Sequence, residues 1–124
     1  MPRILLVDDE EPLRRTLGAF LRMQAHEVHE AAADAVEAFD RVQPDLVICD
    51  LIMPVVDGLT VIHNIRLRSP RVPVIALTGC PDLAGLARMA GATAVLSKLA
   101  SLTDLTDHIE ALGAAAGRHQ ASRH

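Results

Sequence analysis

The sequence has no tryptophan or tyrosine and only two phenylalanines, and its net charge is −4. Proteins that bind nucleic acid use a basic face and aromatic side chains on which bases can stack. The composition therefore argues against nucleic-acid binding by this chain.

The sequence is also poor in cysteine and lacks any long apolar run. Cys49 and Cys80 are its only cysteines, and their spacing matches neither a metal site nor a redox pair. No apolar stretch approaches the roughly 18 residues that a membrane span needs. The first apolar run, Ile4–Val7, is too short for the core of a secretory signal. We therefore expect no membrane segment and a cytoplasmic location.

What the sequence does contain is apolar residues in regular patterns. Half of its 124 residues are hydrophobic, which suits one domain with one core. Short apolar runs, typical of strands covered on both faces, alternate with stretches whose apolar residues recur at helical spacing. Strands are expected at 4–7, 27–31, 46–50, 73–77 and 93–97, with helical patterns at 12–21, 36–42, 58–65, 83–90 and 102–112. This alternation predicts an α/β fold, a doubly wound sheet of five parallel strands with five helices on both faces.

Four of the expected strands end in residues that can carry chemistry: Asp8 and Asp9, Asp50, Thr78 and Lys98. Because the carboxyl ends of parallel strands meet at one edge of a sheet, we expect these side chains to lie together. Clustered carboxylates suit Mg²⁺, and a lysine with a threonine would hold two oxygens of a tetrahedral dianion. The central carboxylate could itself act as a nucleophile.

Taken singly, each of these residues has a simpler interpretation. The run Asp8–Glu11 is typical of the acidic start of a helix, Thr78 of a turn and Lys98 of a solvated strand end. Asp57 is expected to cap a helix and Gly58 to form a turn, with no chemistry assigned to either. A functional site is indicated only because the acidic residues, the threonine and the lysine occur together, directly after or at the end of four different predicted strands.

These motifs resemble the receiver domain of bacterial two-component response regulators. The resemblance covers residues 3–112, and it rests on the segments Ile4–Glu10, Pro44–Pro54 with Asp57–Gly58, Ala76–Thr78, and Gly91–Ala92 leading to Lys98. It implies a flavodoxin-like sheet with the strand order 2-1-3-4-5. Residues 1–112 are therefore expected to form the receiver domain. From Gly113 on, the residues show no pattern, which predicts a flexible tail at 113–124.

The resemblance further implies a phosphorelay function, in which Asp50 accepts a phosphoryl group with the help of Mg²⁺. The donor would be a sensor histidine kinase or a phosphotransfer protein, and the signal would pass to a downstream protein or a fused output domain. The chain would then be no enzyme beyond its own phosphotransfer and autodephosphorylation. The residues implied are Asp9, Asp50, the Ile52 carbonyl and, through water, Asp8 for the metal, with Thr78 and Lys98 for the phosphoryl oxygens.

Two positions depart from the family pattern. Leu99 follows Lys98 where the family usually has proline, so we expect a trans peptide bond there. Val95 stands where the family usually has a switch aromatic, which weakens the expectation of the usual signal readout. One alternative is a pseudo-receiver that binds partners without phosphorylation. The other is an aspartyl-phosphate phosphatase, which is disfavoured because Asp8-Asp9-Glu10 lacks the Asp-x-Asp spacing of haloacid-dehalogenase-like enzymes.

Overall fold

Strands and helices alternate along the chain. The computed structural model describes residues 2–53, 56–98 and 102–121, and for residues 113–121 it describes the helix but not the side chains. The strands are β1 (Arg3–Val7), β2 (Glu27–Ala31), β3 (Leu46–Asp50), β4 (Val74–Thr78) and β5 (Ala94–Ser97). The helices are α1 (Glu11–Met23), α2 (Ala35–Val42), α3 (Gly58–Arg68), α4 (Ala84–Ala90) and α5 (Leu102–Ala121), and a 3₁₀ turn at Pro81–Leu83 precedes α4.

The five strands form one parallel sheet in the order β2-β1-β3-β4-β5. Val7 pairs with Cys49, and Thr78 pairs with Ser97, so neighbouring strands end almost level. The polar β2 lies at an edge, where one side of a strand has no neighbour. The predicted fold class and strand order are confirmed.

The helices cover both faces of the sheet because strand side chains alternate between them. On one face, α2, α3 and α4 pack through Phe39, Ile62 and Ala87 against alternate residues of the strands. On the other face, α1 and α5 pack through Leu21 and Ile109 against the remaining set. All five residues of β3 and of β4 are buried. The packing around the central strands therefore holds the residues at their carboxyl ends in place.

The last helix is longer than the sequence pattern predicts. The apolar stripe stops at Leu112, but α5 continues to Ala121. Residues 114–116 are alanines, which have the highest helix propensity. A run of alanines does not show the helical spacing of apolar and polar residues from which the other helices were predicted. The expected helix end was therefore wrong, while the flexible tail at 113–124 stays a prediction. The expected trans bond between Lys98 and Leu99 lies outside the described residues, as does Pro54.

None of the helices in the described ranges is both long and apolar enough to cross a bilayer.

Candidate functional site

Asp50 is a buried carboxylate at the end of the central strand β3. Its exposed fraction is 1%, and its Oδ1 accepts a hydrogen bond of 3.3 Å from the backbone N–H of Ile52. Its Oδ2 is buried and pairs with the Lys98 ammonium, whose Nζ lies 2.9 Å away. A carboxylate offers about four acceptor sites on its two oxygens, so Asp50 can accept a ligand in addition to its contact with Lys98.

Asp8 and Asp9 follow the neighbouring strand β1 and bring two more carboxylates to Asp50. Asp8 is 3% exposed, and Asp9 is half-buried. One carboxylate oxygen from each of the three residues can be chosen so that all lie within 4.8 Å of one another. The cluster is the one that the sequence predicted at this edge of the sheet.

The environment of Asp8 disfavours its charged form. Burial is the largest cause that raises the pKa of Asp8, and the nearby charges of Asp50 and Glu10 raise it further. A hydrogen bond from the Glu10 backbone N–H to Asp8 Oδ1 (2.9 Å) and the charge of Lys98 oppose that shift without cancelling it. A divalent cation would relieve this repulsion, and carboxylate oxygens are the hard ligands that Mg²⁺ prefers. The residues present therefore fit such an ion.

Lys98 directly follows β5 and supplies the positive charge of the site. Its Nζ lies 2.9 Å from Asp50 Oδ2, 3.2 Å from Glu10 Oε1 and 3.9 Å from Asp8 Oδ2. Burial lowers the pKa of Lys98, but the adjacent carboxylates, Asp50 foremost, outweigh burial and raise it. The side chain is therefore a fixed ammonium near neutral pH. It is also the only lysine in the sequence.

Thr78 ends β4 at the same edge, but its hydroxyl bonds within its own loop. The hydroxyl donates to the Cys80 carbonyl (3.2 Å) and accepts from the Cys80 N–H (2.9 Å), in the manner of a turn residue. A phosphoryl oxygen could gain this donor only if the Cys80 carbonyl lost it. Val95, at the position usually aromatic, is partly buried and packs against the core.

The start of α3 packs against the backbone of Asp50 and Leu51, a contact that the sequence pattern does not predict. Asp57 caps the helix as expected, with Oδ1 accepting from the Leu59 N–H at 3.0 Å. Gly58 does more than form a turn, because its N–H donates to the Leu51 carbonyl at 3.1 Å. A Cβ at Gly58 would lie 2.2 Å from the Asp50 carbonyl oxygen. The glycine therefore allows a close backbone approach that holds the segment after Asp50.

Glu10 is the second contributor that sequence reasoning missed. It was included only in the acidic start of α1, yet its carboxylate reaches Lys98 across 88 positions of sequence. No local pattern signals such a contact, since it depends on which strand ends are neighbours.

Together these groups place the carboxylates of Asp8 and Asp9 and the ammonium of Lys98 around the carboxylate of Asp50. The carboxylates can hold a hard divalent cation, and the ammonium can neutralise an anion bound beside it. A carboxylate held between two such charges is suited to attack a phosphorus centre, since phosphoryl transfer depends mainly on positioning and charge neutralisation.

Comparison with known proteins points to the same chemistry. The family model of the response regulator receiver domain matches residues 4–110. The transcriptional regulatory protein PdtaR of Mycobacterium tuberculosis is 39% identical over 114 residues, which cover 87% of this chain and 55% of PdtaR. The response regulator MprA of Mycobacterium sp. is 37% identical over 117 residues, which cover 89% of this chain and 50% of MprA. This chain thus spans about half the length of these curated relatives.

A solved structure shows the same fold with a metal ion. The receiver domain of sensor histidine kinase PA1611 from Pseudomonas aeruginosa PAO1 has a magnesium ion coordinated in its active-site cleft. It matches with a TM-score of 0.83 and 28% sequence identity, covering 91% of this chain and 98% of that one.

Proposed function

This chain belongs to the receiver domain family of response regulators, and from that premise we propose that Asp50 is its phosphoacceptor. The observation that carries the proposal is the buried Oδ2 of Asp50 at the end of β3, which lies 2.9 Å from the Lys98 ammonium and beside two further carboxylates. Of the carboxylates that contact Lys98, Asp50 has the shortest distance, 2.9 Å, compared with 3.2 Å for Glu10 and 3.9 Å for Asp8.

The proposed reaction moves a phosphoryl group from a phosphohistidine to Asp50. A carboxylate oxygen of Asp50 forms a bond to phosphorus while the bond from phosphorus to the donor nitrogen breaks, and the imidazole keeps the electron pair. The Lys98 ammonium lies where it can neutralise charge on a phosphoryl oxygen. Thr78 would donate its hydroxyl to a second oxygen after releasing the Cys80 carbonyl.

We propose that the acidic cluster holds Mg²⁺ through Asp9, Asp50 and the backbone carbonyl of Ile52, with Asp8 acting through water. When bound, the ion supplies charge neutralisation and alignment of the phosphoryl oxygens. The carboxylates of Asp8, Asp9 and Asp50, grouped within 4.8 Å, support this assignment. The metal-bound structure of the Pseudomonas aeruginosa receiver domain supports the choice of ion.

The proposed partners are a sensor histidine kinase or a phosphotransfer protein as donor, and a protein target or fused output domain as recipient of the signal. We also propose a cytoplasmic location, no nucleic-acid binding by this chain, and no catalytic turnover beyond the domain's own phosphotransfer and autodephosphorylation. Residues 1–112 would form the receiver domain, with 113–124 as a flexible tail.

The test is phosphorylation with acetyl phosphate and Mg²⁺, followed by intact-protein mass measurement of the wild type and Asp50→Asn. We expect the wild type to gain one phosphoryl group and the variant none, with unchanged circular dichroism because the substitution is isosteric. Labelling of Asp50→Asn at the wild-type level would refute the assignment. Phosphate release at steady turnover would indicate a phosphatase, and an unlabelled wild type would indicate a pseudo-receiver.

A further inference from the structure

The ammonium of Lys98 is shared between Asp50 and a residue with no assigned role. Its Nζ lies 2.9 Å from Asp50 Oδ2 and 3.2 Å from Glu10 Oε1, so the two carboxylates contact one charge at nearly the same distance. The partners differ in burial, since the side chain of Asp50 is 1% exposed and that of Glu10 is 62% exposed. Glu10 therefore holds Lys98 from the solvent side of the site.

The position of Glu10 at the start of α1 leaves its side chain free for this contact. Glu10 is the N-cap residue of α1, but its side chain makes no capping hydrogen bond. Its backbone N–H donates to Asp8 Oδ1, and its carbonyl accepts from the Arg14 N–H, the first bond of the helix. The main chain of Glu10 is thus fixed at the acidic cluster, while its carboxylate extends to the end of β5.

We propose that Glu10 is a positioning residue that shares the Lys98 ammonium with Asp50 and competes for it with the phosphoryl group, giving it up when that group occupies the site. This inference rests on the proposed phosphoacceptor role of Asp50. An ammonium has three N–H donors and can serve two carboxylates at once. A phosphoryl group carries nearly two negative charges and three acceptor oxygens, so it outcompetes a single exposed carboxylate. Formation of the phosphorylated state therefore includes the loss of the contact between Glu10 and Lys98.

The competing explanation is that Glu10 only adds negative charge at the mouth of the site. Two variants separate the explanations. Glu10→Gln removes both the charge and the competition for Lys98. Glu10→Asp keeps the charge but shortens the side chain by one methylene, and aspartate at an N-cap bonds to the first helical N–H groups instead. Glu11→Gln is the matched control, because Glu11 is an exposed neighbour that pairs with Arg15 and not with Lys98.

The first measurement follows Lys98 directly in the unphosphorylated protein without metal. Because the sequence has a single lysine, labelling with ¹⁵Nζ-lysine gives one side-chain ammonium signal. We expect this signal to shift in Glu10→Gln and in Glu10→Asp, and to stay at the wild-type position in Glu11→Gln. An unchanged signal in Glu10→Gln would overturn the proposal, since it would show that Glu10 does not hold Lys98.

The second measurement is the affinity for beryllofluoride, a phosphoryl mimic, with Mg²⁺ present, followed by amide chemical shifts. A partly exposed ion pair changes an equilibrium by about 1.4- to 5-fold. We therefore expect Glu10→Gln and Glu10→Asp to bind the mimic tighter by about that factor, with Glu11→Gln unchanged.

Each other result decides against the proposal. If only Glu10→Gln binds tighter, Glu10 acts through charge alone and the positioning role is refuted. Equal affinities in all four proteins would show that the contact is not lost when the site fills. If the wild type binds no mimic and takes no phosphoryl label, the function proposed for Asp50 fails and the competition with it. The ammonium signal would still report whether Glu10 contacts Lys98, so the two failures are distinguishable.

Discussion

Substitution of Gly58 by alanine should destabilise the protein through the backbone of the proposed phosphoacceptor. The added Cβ would lie 2.2 Å from the Asp50 carbonyl oxygen and 2.5 Å from the Leu51 Cα. Optimal contacts between such atoms are about 3.5–4 Å, so the strand end and α3 must separate by roughly 1 Å or more. Both contacted atoms are backbone atoms, which cannot turn aside as a flexible side chain can.

The magnitude follows from two opposing terms. Overpacking of this kind costs about 1–3 kcal/mol, and contact with backbone places Gly58→Ala towards the upper end. The better helix propensity of alanine returns at most about 1 kcal/mol. We therefore expect a net loss of about 2 kcal/mol, which lowers the Tm of a domain of this size by about 8 °C. Displacement of Asp50 by about 1 Å should also slow its phosphorylation by on the order of tenfold to 100-fold.

The assay is thermal unfolding followed by circular dichroism, together with the rate of labelling by acetyl phosphate. Gly85→Ala is the matched control, because Gly85 lies in α4 and a Cβ there would meet no atom within 4 Å. That control should keep the wild-type labelling rate and gain up to about 1 kcal/mol of stability. If Gly58→Ala unfolds at the wild-type temperature and is labelled at the wild-type rate, the supporting role of the close approach is refuted.

Three further predictions concern the metal, the signal and the thiols. Asp9→Ala should abolish Mg²⁺ binding as measured by calorimetry. The thermal stability of the metal-free protein should stay equal or rise, because repulsion between carboxylates is relieved. A large loss of that stability would mean that Asp9 mainly supports helix α1. Beryllofluoride should shift amide signals more at Gly79–Gly85 than at Ala94–Leu96, and equal shifts would show that β5 also switches. Burial strongly raises the pKa of the Cys49 thiol, so at pH 8 a thiol reagent should modify Cys80 and spare Cys49 until the protein unfolds.

The sequence by itself determined the fold and the membership of the acidic cluster. Apolar periodicity is a local property, and five alternations of strand and helix leave few arrangements once crossovers are right-handed. Among these, the strand order 2-1-3-4-5 came from the resemblance to receiver domains. That topology is enough to bring Asp8, Asp9, Asp50 and Lys98 to one edge, because residues directly after parallel strands have little freedom of position.

Only the tertiary structure decided which contacts the side chains make at that edge of the sheet. Glu10 reaches Lys98 across 88 positions of sequence, the Thr78 hydroxyl bonds to Cys80, and Gly58 packs on the Asp50 backbone. Each outcome depends on a side-chain rotamer or a close approach between distant segments, and neither leaves a periodic signal in the chain. The end of α5 was missed for a related reason, since an alanine-rich segment can be helical without any apolar stripe to mark it.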